Sequence, residues 1–335
     1  MKLIVPMAGK GTRLRPHTHV TPKPLLPVVG IPMVERILHT FIDVLPRKIE
    51  DAVFVLGDFP EEVREQLRTI CARHQIQAHF ARQEQALGTA HAVYCAREHL
   101  EGEGIIVFAD TLFEMSGPVD LEGADGVVWV KWVEDPRRFG VVVREGDRIV
   151  AFVEKPEEPI SHEAIIGIYY LKRLEELRSE IEYLLEHDIT GHGGEYQLTD
   201  AMDRLLQKGL VFKTATVDKW LDCGTIPALM ETTKYYLEKE GKLRSLGEVE
   251  ETIIIPPVYL GPGVQVVRSV VGPYVSVEAG ARLYDTRIEE SIVFSHGHVE
   301  KAVLRKSLVG QYAKVNGTPR QVNIGDHSTL GSTSS

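Results

Sequence analysis

The chain has 335 residues, enough for about two domains, and a composition of 43% hydrophobic and 26% charged residues, which is typical of a folded protein. Its 38 basic and 48 acidic residues give a net charge of −10, which disfavours a nucleic-acid-binding function because such binding needs a basic surface. The three cysteines lie far apart, and no apolar run approaches the length of about 20 residues that spans a membrane. We therefore expect a cytoplasmic protein with no disulfide framework, no membrane segment and no nucleic-acid partner.

Strand-like and helix-like segments alternate through the first two hundred or so residues. Short uninterrupted apolar runs predict buried strands, and apolar residues spaced three and four apart predict amphipathic helices. Uninterrupted apolar strands between such helices indicate a parallel sheet that is covered on both faces. The predicted elements are strands over 2–5, 52–56 and 104–108 and helices over 33–45, 60–71 and 89–100.

The middle of the chain has a different pattern. Short strands with turn residues between them are predicted over 127–133, 140–144 and 149–153, and they indicate an antiparallel insertion at the edge of the sheet. Helices are then predicted over 171–187 and 196–208.

The last part of the chain shows a loose six-residue repeat and no helix signal. An aliphatic residue opens each unit and a small apolar residue follows four positions later, as in Leu260 and Val264 or Val277 and Ala281. This pattern favours a hexapeptide β-helix over a plain β-sandwich. With the domain boundary in the polar segment 238–251, the predicted domains are 1–240 and 252–335.

The strongest chemical signal is at the amino end, in residues 7–16 (MAGKGTRLRP) and 21–26 (TPKPLL). Gly9 and Gly11 allow close approach of a ligand and positive φ, and backbone N–H groups after a strand can bind phosphate oxygens. Four cations between residues 10 and 23 suit a triphosphate. The spacing fits neither a P-loop nor the Rossmann dinucleotide motif. These cations are Lys10, Arg13, Arg15 and Lys23.

Residues 7–26 resemble the signature of the sugar-1-phosphate nucleotidyltransferases, and further blocks match that family in the same order up to about residue 240. The resemblance implies an α/β fold. It has a Rossmann-like nucleotidyltransferase domain with a mostly parallel sheet, followed here by a short left-handed parallel β-helix. It implies an NTP and a sugar 1-phosphate as substrates and Mg²⁺ as cofactor. It makes Arg13 and Lys23 catalytic. The nucleotide-binding residues that it implies are Ala8, Gly9, Gly11, Thr12, Gln83, Gly88 and Thr89.

Further blocks of the same resemblance supply the metal and sugar residues. Asp110, at the end of the strand over 104–108, and Asp222, in the WLDCGT block, are the implied metal ligands. Oxygen ligands of this kind suit Mg²⁺ held jointly with phosphates. The thirteen histidines show no zinc-ligand spacing and are assigned to the core or the surface. The residues implied to hold the sugar phosphate are Gly140, Glu154, Lys155, Gly167 and Trp220.

The resemblance is strongest to long-form glucose-1-phosphate thymidylyltransferases, which favours dTTP or UTP and glucose 1-phosphate. N-acetylglucosamine-1-phosphate uridylyl transfer and mannose-1-phosphate guanylyl transfer remain alternatives. A regulatory relative that only binds nucleotide sugars is disfavoured, because the implied cations and carboxylates are all present. Acyl transfer on the β-helix is also disfavoured, since the repeat spans only about four short coils. Apolar faces of the β-helix indicate a homo-oligomer.

Overall fold

The structure is a computed structural model that describes residues 1–19, 21–241 and 243–317. The chain divides into two compact units, Met1–Thr232 and Thr233–Ser335. In chain order, the first elements are β1 (Lys2–Pro6), β2 (Pro27–Val28), β3 (Ile31–Pro32), α1 (Met33–Val44), β4 (Asp51–Leu56), α2 (Glu61–Arg73), β5 (Gln77–Arg82), α3 (Thr89–Tyr94), β6 (Gly104–Val107), β7 (Thr111–Glu114), β8 (Gly126–Trp132), β9 (Gly140–Glu145), β10 (Arg148–Glu154), β11 (Glu163–Leu171), α4 (Leu174–Glu186), α5 (Leu198–Gln207), β12 (Phe212–Thr216), β13 (Lys219–Asp222) and α6 (Ile226–Lys239).

A nine-stranded sheet forms the centre of the first unit, in the order β10-β9-β11-β6-β1-β4-β5, with β8 between β11 and β12. Strands β6, β1, β4 and β5 run parallel. Almost every residue of β1, β4 and β6 is buried, because the strands of such a sheet are covered on both faces. The predicted Rossmann-like α/β core is confirmed.

The middle of the chain completes one side of this sheet. Strands β9 and β10 form an antiparallel hairpin at its edge, as the sequence predicts. Strand β8 does not share that edge, since it pairs with both β11 and β12. Strand β11 was not predicted from the sequence, and its last residue, Leu171, was placed in the following helix, which begins at Leu174.

The second unit is a stack of short parallel strands in three sheets. Partners along one sheet are Val258, Val275 and Ser291, so that successive coils take 17 and 16 residues. This arrangement confirms the predicted left-handed β-helix. The strands are β14 (Leu243–Ser245), β15 (Glu248–Glu250), β16 (Ile253–Ile254), β17 (Val258–Leu260), β18 (Gln265–Val267), β19 (Val270–Val271), β20 (Val275–Val277), β21 (Arg282–Tyr284), β22 (Arg287–Glu289), β23 (Ser291–Val293), β24 (His298–Glu300), β25 (Val303–Arg305), β26 (Leu308–Val309) and β27 (Lys314–Asn316).

The β-helix begins earlier than the sequence pattern indicates. Strands β14 and β15 lie before residue 252, yet they already pair with β17 and β18. The domain bounds 1–240 and 252–335 stay a prediction, as does the homo-oligomer. Within the ranges that the structure describes, no helix has the length and apolar character needed to cross a membrane.

The interior of the β-helix is a set of aliphatic columns. Val266, Leu283 and Val299 are in register in one sheet, and all three are completely buried. Side chains at matching positions of successive coils therefore pack on one another. The neighbouring coil positions Leu260 and Val264 are buried as well, in agreement with the predicted repeat.

We predict that Leu283→Ala lowers the free energy of unfolding by about 2–5 kcal/mol, because it leaves a cavity in a packed column. Val303, which is 79% exposed on β25, provides the control. Val303→Ala should change stability by about 0.5 kcal/mol or less. Chemical denaturation followed by circular dichroism measures both variants. Equal losses in the two variants would show that the columns do not stabilise the domain.

Candidate active site

A cleft of about 640 Å³ lies at the carboxyl ends of the parallel strands of the first unit. This is the position at which open α/β sheets bind their ligands. All the predicted site residues except Lys155 and Asp222 line it. These lining residues are Ala8, Gly9, Gly11, Thr12, Arg13, Lys23, Gln83, Gly88, Thr89, Asp110, Gly140, Glu154, Gly167 and Trp220.

The glycine-rich turn follows β1 directly. Gly11 has φ +54° and its carbonyl accepts a hydrogen bond of 2.7 Å from Thr18 Oγ1, which closes the loop. Gly9 is not among the glycines with positive φ, and nothing lies within 4 Å of a Cβ placed on it. Gly11 thus has the positive φ that the sequence predicts, and Gly9 does not.

Lys23 lies at the base of the cleft and is only 8% exposed. Its ammonium donates a hydrogen bond to the backbone carbonyl of Asp110. Burial lowers the pKa of Lys23, and the nearby carboxylates Asp110 and Asp222 oppose that shift. The ammonium therefore lies within the electrostatic influence of both carboxylates that the family resemblance assigns to a metal.

Asp110 and Asp222 are brought together by strand pairing. Asp110 precedes β7, and β7 pairs with β13 so that Thr111 is the partner of Asp222. The Asp110 side chain faces the cleft, but the protein around it is close enough for burial to raise its pKa. The positive charge of Lys23 lowers the pKa of Asp110, and the negative charge of Asp222 raises it further. Two neighbouring carboxylates of this kind favour a cation between them.

Gly224 allows Arg13 to approach Asp222. The backbone N–H of Gly224 donates to Asp222 Oδ1 at 2.6 Å. A Cβ on Gly224 would lie 2.9 Å from that oxygen and 3.5 Å from Arg13 Nη2. The guanidinium of Arg13 is thus beside the carboxylate pair, although Asp222 itself does not line the cleft. Of the four cations in the amino-terminal motif, Arg13 and Lys23 line it, and Lys10 and Arg15 are not among its lining residues.

The segment predicted to read the base lies on the opposite wall. The amide nitrogen of Gln83 is 3.1 Å from His91 Nδ1, which fixes the side chain at the end of β5. Gly88 has φ +120°, and a Cβ there would lie 2.4 Å from the carbonyl oxygen of Tyr196. Thr89 Oγ1 accepts a hydrogen bond of 2.9 Å from the backbone N–H of Leu198.

The part of the cleft that the sequence predicts to bind the sugar is built on the β9–β10 hairpin. Gly140 and Glu154 are register partners, and a Cβ on Gly140 would lie 2.8 Å from Glu154 Oε2. Thr199 Oγ1 donates to the same oxygen at 3.2 Å. The ring of Trp220 packs edge-on against Phe139 at 5.7 Å, and its Nε1 is buried without a hydrogen-bond partner among the described residues.

Gly167 and Lys155 differ in their relation to the cleft. Gly167 has φ +79° within an irregular stretch of β11, and its carbonyl accepts a hydrogen bond of 2.9 Å from the backbone N–H of Phe108. Lys155 has φ +42°, and its ammonium lies 3.8 Å from Glu154 Oε1. The structure places Lys155 beside a lining residue but not on the cleft wall.

Several lining residues were not identified from the sequence. Arg138 is one of two adjacent arginines, and its neighbour Arg137 is paired with Asp135 at 2.8 Å. No signal in the sequence singles out Arg138, because Glu134 and Asp135 precede the two arginines and supply as many acidic as basic residues. Gln197 and Thr199 reach the cleft because the segment before α5 packs against the turn at Gly88. No short-range pattern shows that contact.

A family model described as nucleotidyl transferase matches residues 2–239 of this chain. The chain therefore belongs to the nucleotidyl transferase family and is an enzyme of that class.

Curated relatives and solved structures agree with this assignment. A glucose-1-phosphate thymidylyltransferase of Streptomyces griseus is 26% identical over 98% of both chains. The bifunctional protein GlmU of Methanocaldococcus jannaschii is 31% identical, and the match covers 76% of this chain and 59% of that protein. A UDP-glucose pyrophosphorylase complexed with UDP-glucose has a TM-score of 0.57 at 23% identity, covering 71% of this chain and 98% of that one. The predicted family and fold are confirmed.

We predict that Gly88→Ala destabilises the protein more than Gly117→Ala. Both positions have positive φ, so each substitution adds backbone strain: about 1–2 kcal/mol at Gly117, and about 1–3 kcal/mol at Gly88, whose φ of +120° and ψ of 177° are adopted almost only by glycine. Only Gly88 also faces the Tyr196 backbone, which should add about 1–3 kcal/mol of overpacking, whereas nothing lies within 4 Å of a Cβ on Gly117. Thermal and denaturant unfolding provide the comparison. If both variants lose the same stability, the Gly88–Tyr196 contact is not a tight constraint.

Proposed function

We propose that this enzyme transfers a nucleotidyl group from an NTP to a sugar 1-phosphate and releases pyrophosphate. The observation that carries the proposal is the arrangement of one cleft. The cations Arg13 and Lys23 and the carboxylate of Asp110 line this cleft together with Glu154 and Trp220, whose indole nitrogen is buried without a partner among the described residues. The cations suit phosphates, and the indole donor and the Glu154 acceptor suit hydroxyl groups.

In the proposed step, a phosphate oxygen of the sugar 1-phosphate attacks the α-phosphorus of the NTP. A new oxygen–phosphorus bond forms as the bond to the departing pyrophosphate breaks, and no proton has to be removed from the nucleophile. Repulsion between the two anions opposes this step, as does the charge that grows on the leaving group. Positioned cations oppose both effects.

The residues of the cleft have separate roles in this proposal. Arg13 stabilises the charge of the triphosphate, and Lys23 holds the phosphates near the attacked phosphorus. Lys155 holds the attacking phosphate, for which its ammonium turns away from Glu154. Backbone N–H groups of the Gly9–Thr12 turn bind phosphate oxygens.

Mg²⁺ fits the two aspartates that β7 and β13 bring together. Asp110 and Asp222 offer oxygen ligands, as Mg²⁺ prefers, and the raised pKa of Asp110 reflects a carboxylate that would gain from a nearby cation. When bound there, the ion supplies positive charge that neutralises phosphate oxygens. Asp222 keeps ligand capacity in spite of its bond from Gly224, because a carboxylate has several acceptor positions.

For the substrates, we propose dTTP or UTP as the nucleotide and glucose 1-phosphate as the sugar. This follows the curated thymidylyltransferase relatives, which the chain matches over almost its whole length. The amide of Gln83, which offers both a donor and an acceptor, suits the mixed edge of a pyrimidine. The alternatives are N-acetylglucosamine-1-phosphate uridylyl transfer and mannose-1-phosphate guanylyl transfer.

We predict that Lys23→Met and Asp110→Asn each lower the rate of pyrophosphate release by about 10²–10³-fold, the cost of losing one positioned charge interaction. Methionine keeps the buried stem of Lys23 packed, and asparagine keeps the shape of Asp110. Asp110→Asn should also raise the Mg²⁺ concentration needed for half-maximal rate.

Lys213→Met is the matched control for these variants. Lys213 also donates to a backbone carbonyl, that of Glu122 at 3.2 Å, but it is not among the residues that line the cleft. Its rate should equal that of the unmodified protein. Near-normal turnover in Lys23→Met, with circular dichroism showing an intact fold, would remove Lys23 from the mechanism.

We predict that a panel of four NTPs against a few sugar 1-phosphates, measured by pyrophosphate release, gives the highest kcat/KM with dTTP or UTP. The physical reason is the hydrogen bonding of Gln83 to the edge of a pyrimidine base. Gln83→Ala should therefore reduce the difference in kcat/KM between nucleotides more than it reduces the rate with the preferred nucleotide. Use of ATP alone would contradict the pyrimidine assignment.

A further inference from the structure

A second group of ligand-type side chains lies outside the cleft, between two helices of the first unit. Glu35 and His39 are one turn apart on α1, and His74 follows the last residue of α2. One potential ligand atom from each of the three lies within 4.8 Å of the others. None of the three is among the residues that line the cleft. We call these residues the interhelical cluster.

Glu35 places a carboxylate in the interior. The residue is 5% exposed, and its charged partner Arg73 contacts both carboxylate oxygens, at 3.0 and 3.1 Å. The Arg73 side chain is 58% exposed, so this guanidinium reaches the carboxylate from the solvent side. A pair with one exposed partner is typically weak, and a buried carboxylate favours further positive charge.

His74 supplies the observation that points to a ligand. Its Nε2 is buried and has no hydrogen-bond partner within the described part of the chain. The nearest carboxylate oxygen, Glu35 Oε1, is 3.6 Å away, beyond hydrogen-bonding distance. A buried polar atom without a partner is rare in native proteins, and an ion is one recognised explanation.

His39 completes the cluster from the side of α1. Its ring meets that of His74 edge-on, with centroids 4.9 Å apart. A metal ion binds a neutral imidazole through the lone pair of a ring nitrogen. A ring nitrogen of His39 lies within 4.8 Å of potential ligand atoms of Glu35 and His74.

We propose that Glu35, His39 and His74 bind a Zn²⁺ ion, with a water molecule as the fourth ligand. Two imidazoles and one carboxylate form a donor set that zinc accepts, whereas Mg²⁺ prefers an all-oxygen site. The ion links α1 to the end of α2 and stabilises their packing. Cys71 is also buried on α2, but it does not belong to the group of ligand atoms within 4.8 Å of one another.

The same unit contains a pair of histidines that serves as a control. His79 and His99 have ring centroids 4.7 Å apart and lie beside a carboxylate, as the histidines of the interhelical cluster do. There, however, His79 Nε2 is hydrogen-bonded to Asp51 Oδ1 at 2.7 Å. The imidazole of His79 therefore already has a carboxylate partner, and we expect this pair to bind no zinc.

In the test, the full chain is cleared of metal by chelation and returned to buffer with excess Mg²⁺, which occupies carboxylate sites. Zn²⁺ is then added, and the zinc that the protein retains after desalting is measured by mass spectrometry of the metal. Thermal unfolding is followed with and without Zn²⁺. Co²⁺ in place of Zn²⁺ reports the coordination by its visible absorption. The variants are His39→Gln and His74→Gln, with His99→Gln as control and circular dichroism as the test of folding.

We expect the unmodified protein and His99→Gln to retain one equivalent of zinc, to unfold at a higher temperature with Zn²⁺ and to give the strong visible bands of four-coordinate Co²⁺. His39→Gln and His74→Gln should each bind zinc about tenfold or more weakly and lose the thermal shift. Absence of retained zinc in the unmodified protein overturns the proposal. So does a folded His39→Gln or His74→Gln variant that binds zinc as tightly as His99→Gln.

Discussion

The pairing of β7 with β13 is the constraint on which the candidate site depends. It joins two segments that lie more than a hundred residues apart and puts Asp222 opposite Thr111, next to Asp110. Without this pairing Asp110 would lack its neighbouring carboxylate, and the ammonium of Lys23 would have the charge of Asp110 nearby but not that of Asp222. The short two-stranded sheet thus determines the charge balance of a much larger cavity.

In the proposed function, that charge balance lets a protein of net charge −10 bind an anion as strongly charged as a triphosphate. Net charge describes the whole surface, whereas binding depends on the field within the cleft. Arg13 and Lys23 face the cleft, and the acidic groups nearest to them are the two that suit a metal ion. The local excess of positive charge therefore exists only when the carboxylates are themselves neutralised.

The sequence was most informative where a pattern is local. Strands β1, β4 and β6 are continuous apolar runs, and the β-helix repeats its aliphatic residues at a fixed spacing, so both were predictable. Strand β11 was not, because Gly167 and an irregular register interrupt its alternation. The roles of the cleft residues came from family resemblance, and the structure adds their proximity.

Contacts between distant segments could not be predicted at all. The turn at Gly88 needs the Tyr196 backbone, Arg138 becomes a lining residue only through the fold, and His39 meets His74 across two helices. Spacing along the chain assigned all histidines to the core or the surface, since no two histidines fall at zinc-ligand spacing on one helix. Such contacts depend on tertiary packing, which short windows of sequence do not contain.

The β7–β13 pairing also has a consequence for the order of events during biosynthesis. Ribosomes add about 5–20 residues per second, so roughly ten seconds or more separate the emergence of Lys23 from that of Asp222. During this interval the nascent polypeptide carries its basic turn without its second acidic partner. In the proposed mechanism, the first unit therefore becomes competent for catalysis only near the end of its own translation, when β13 pairs with β7, which was synthesised much earlier.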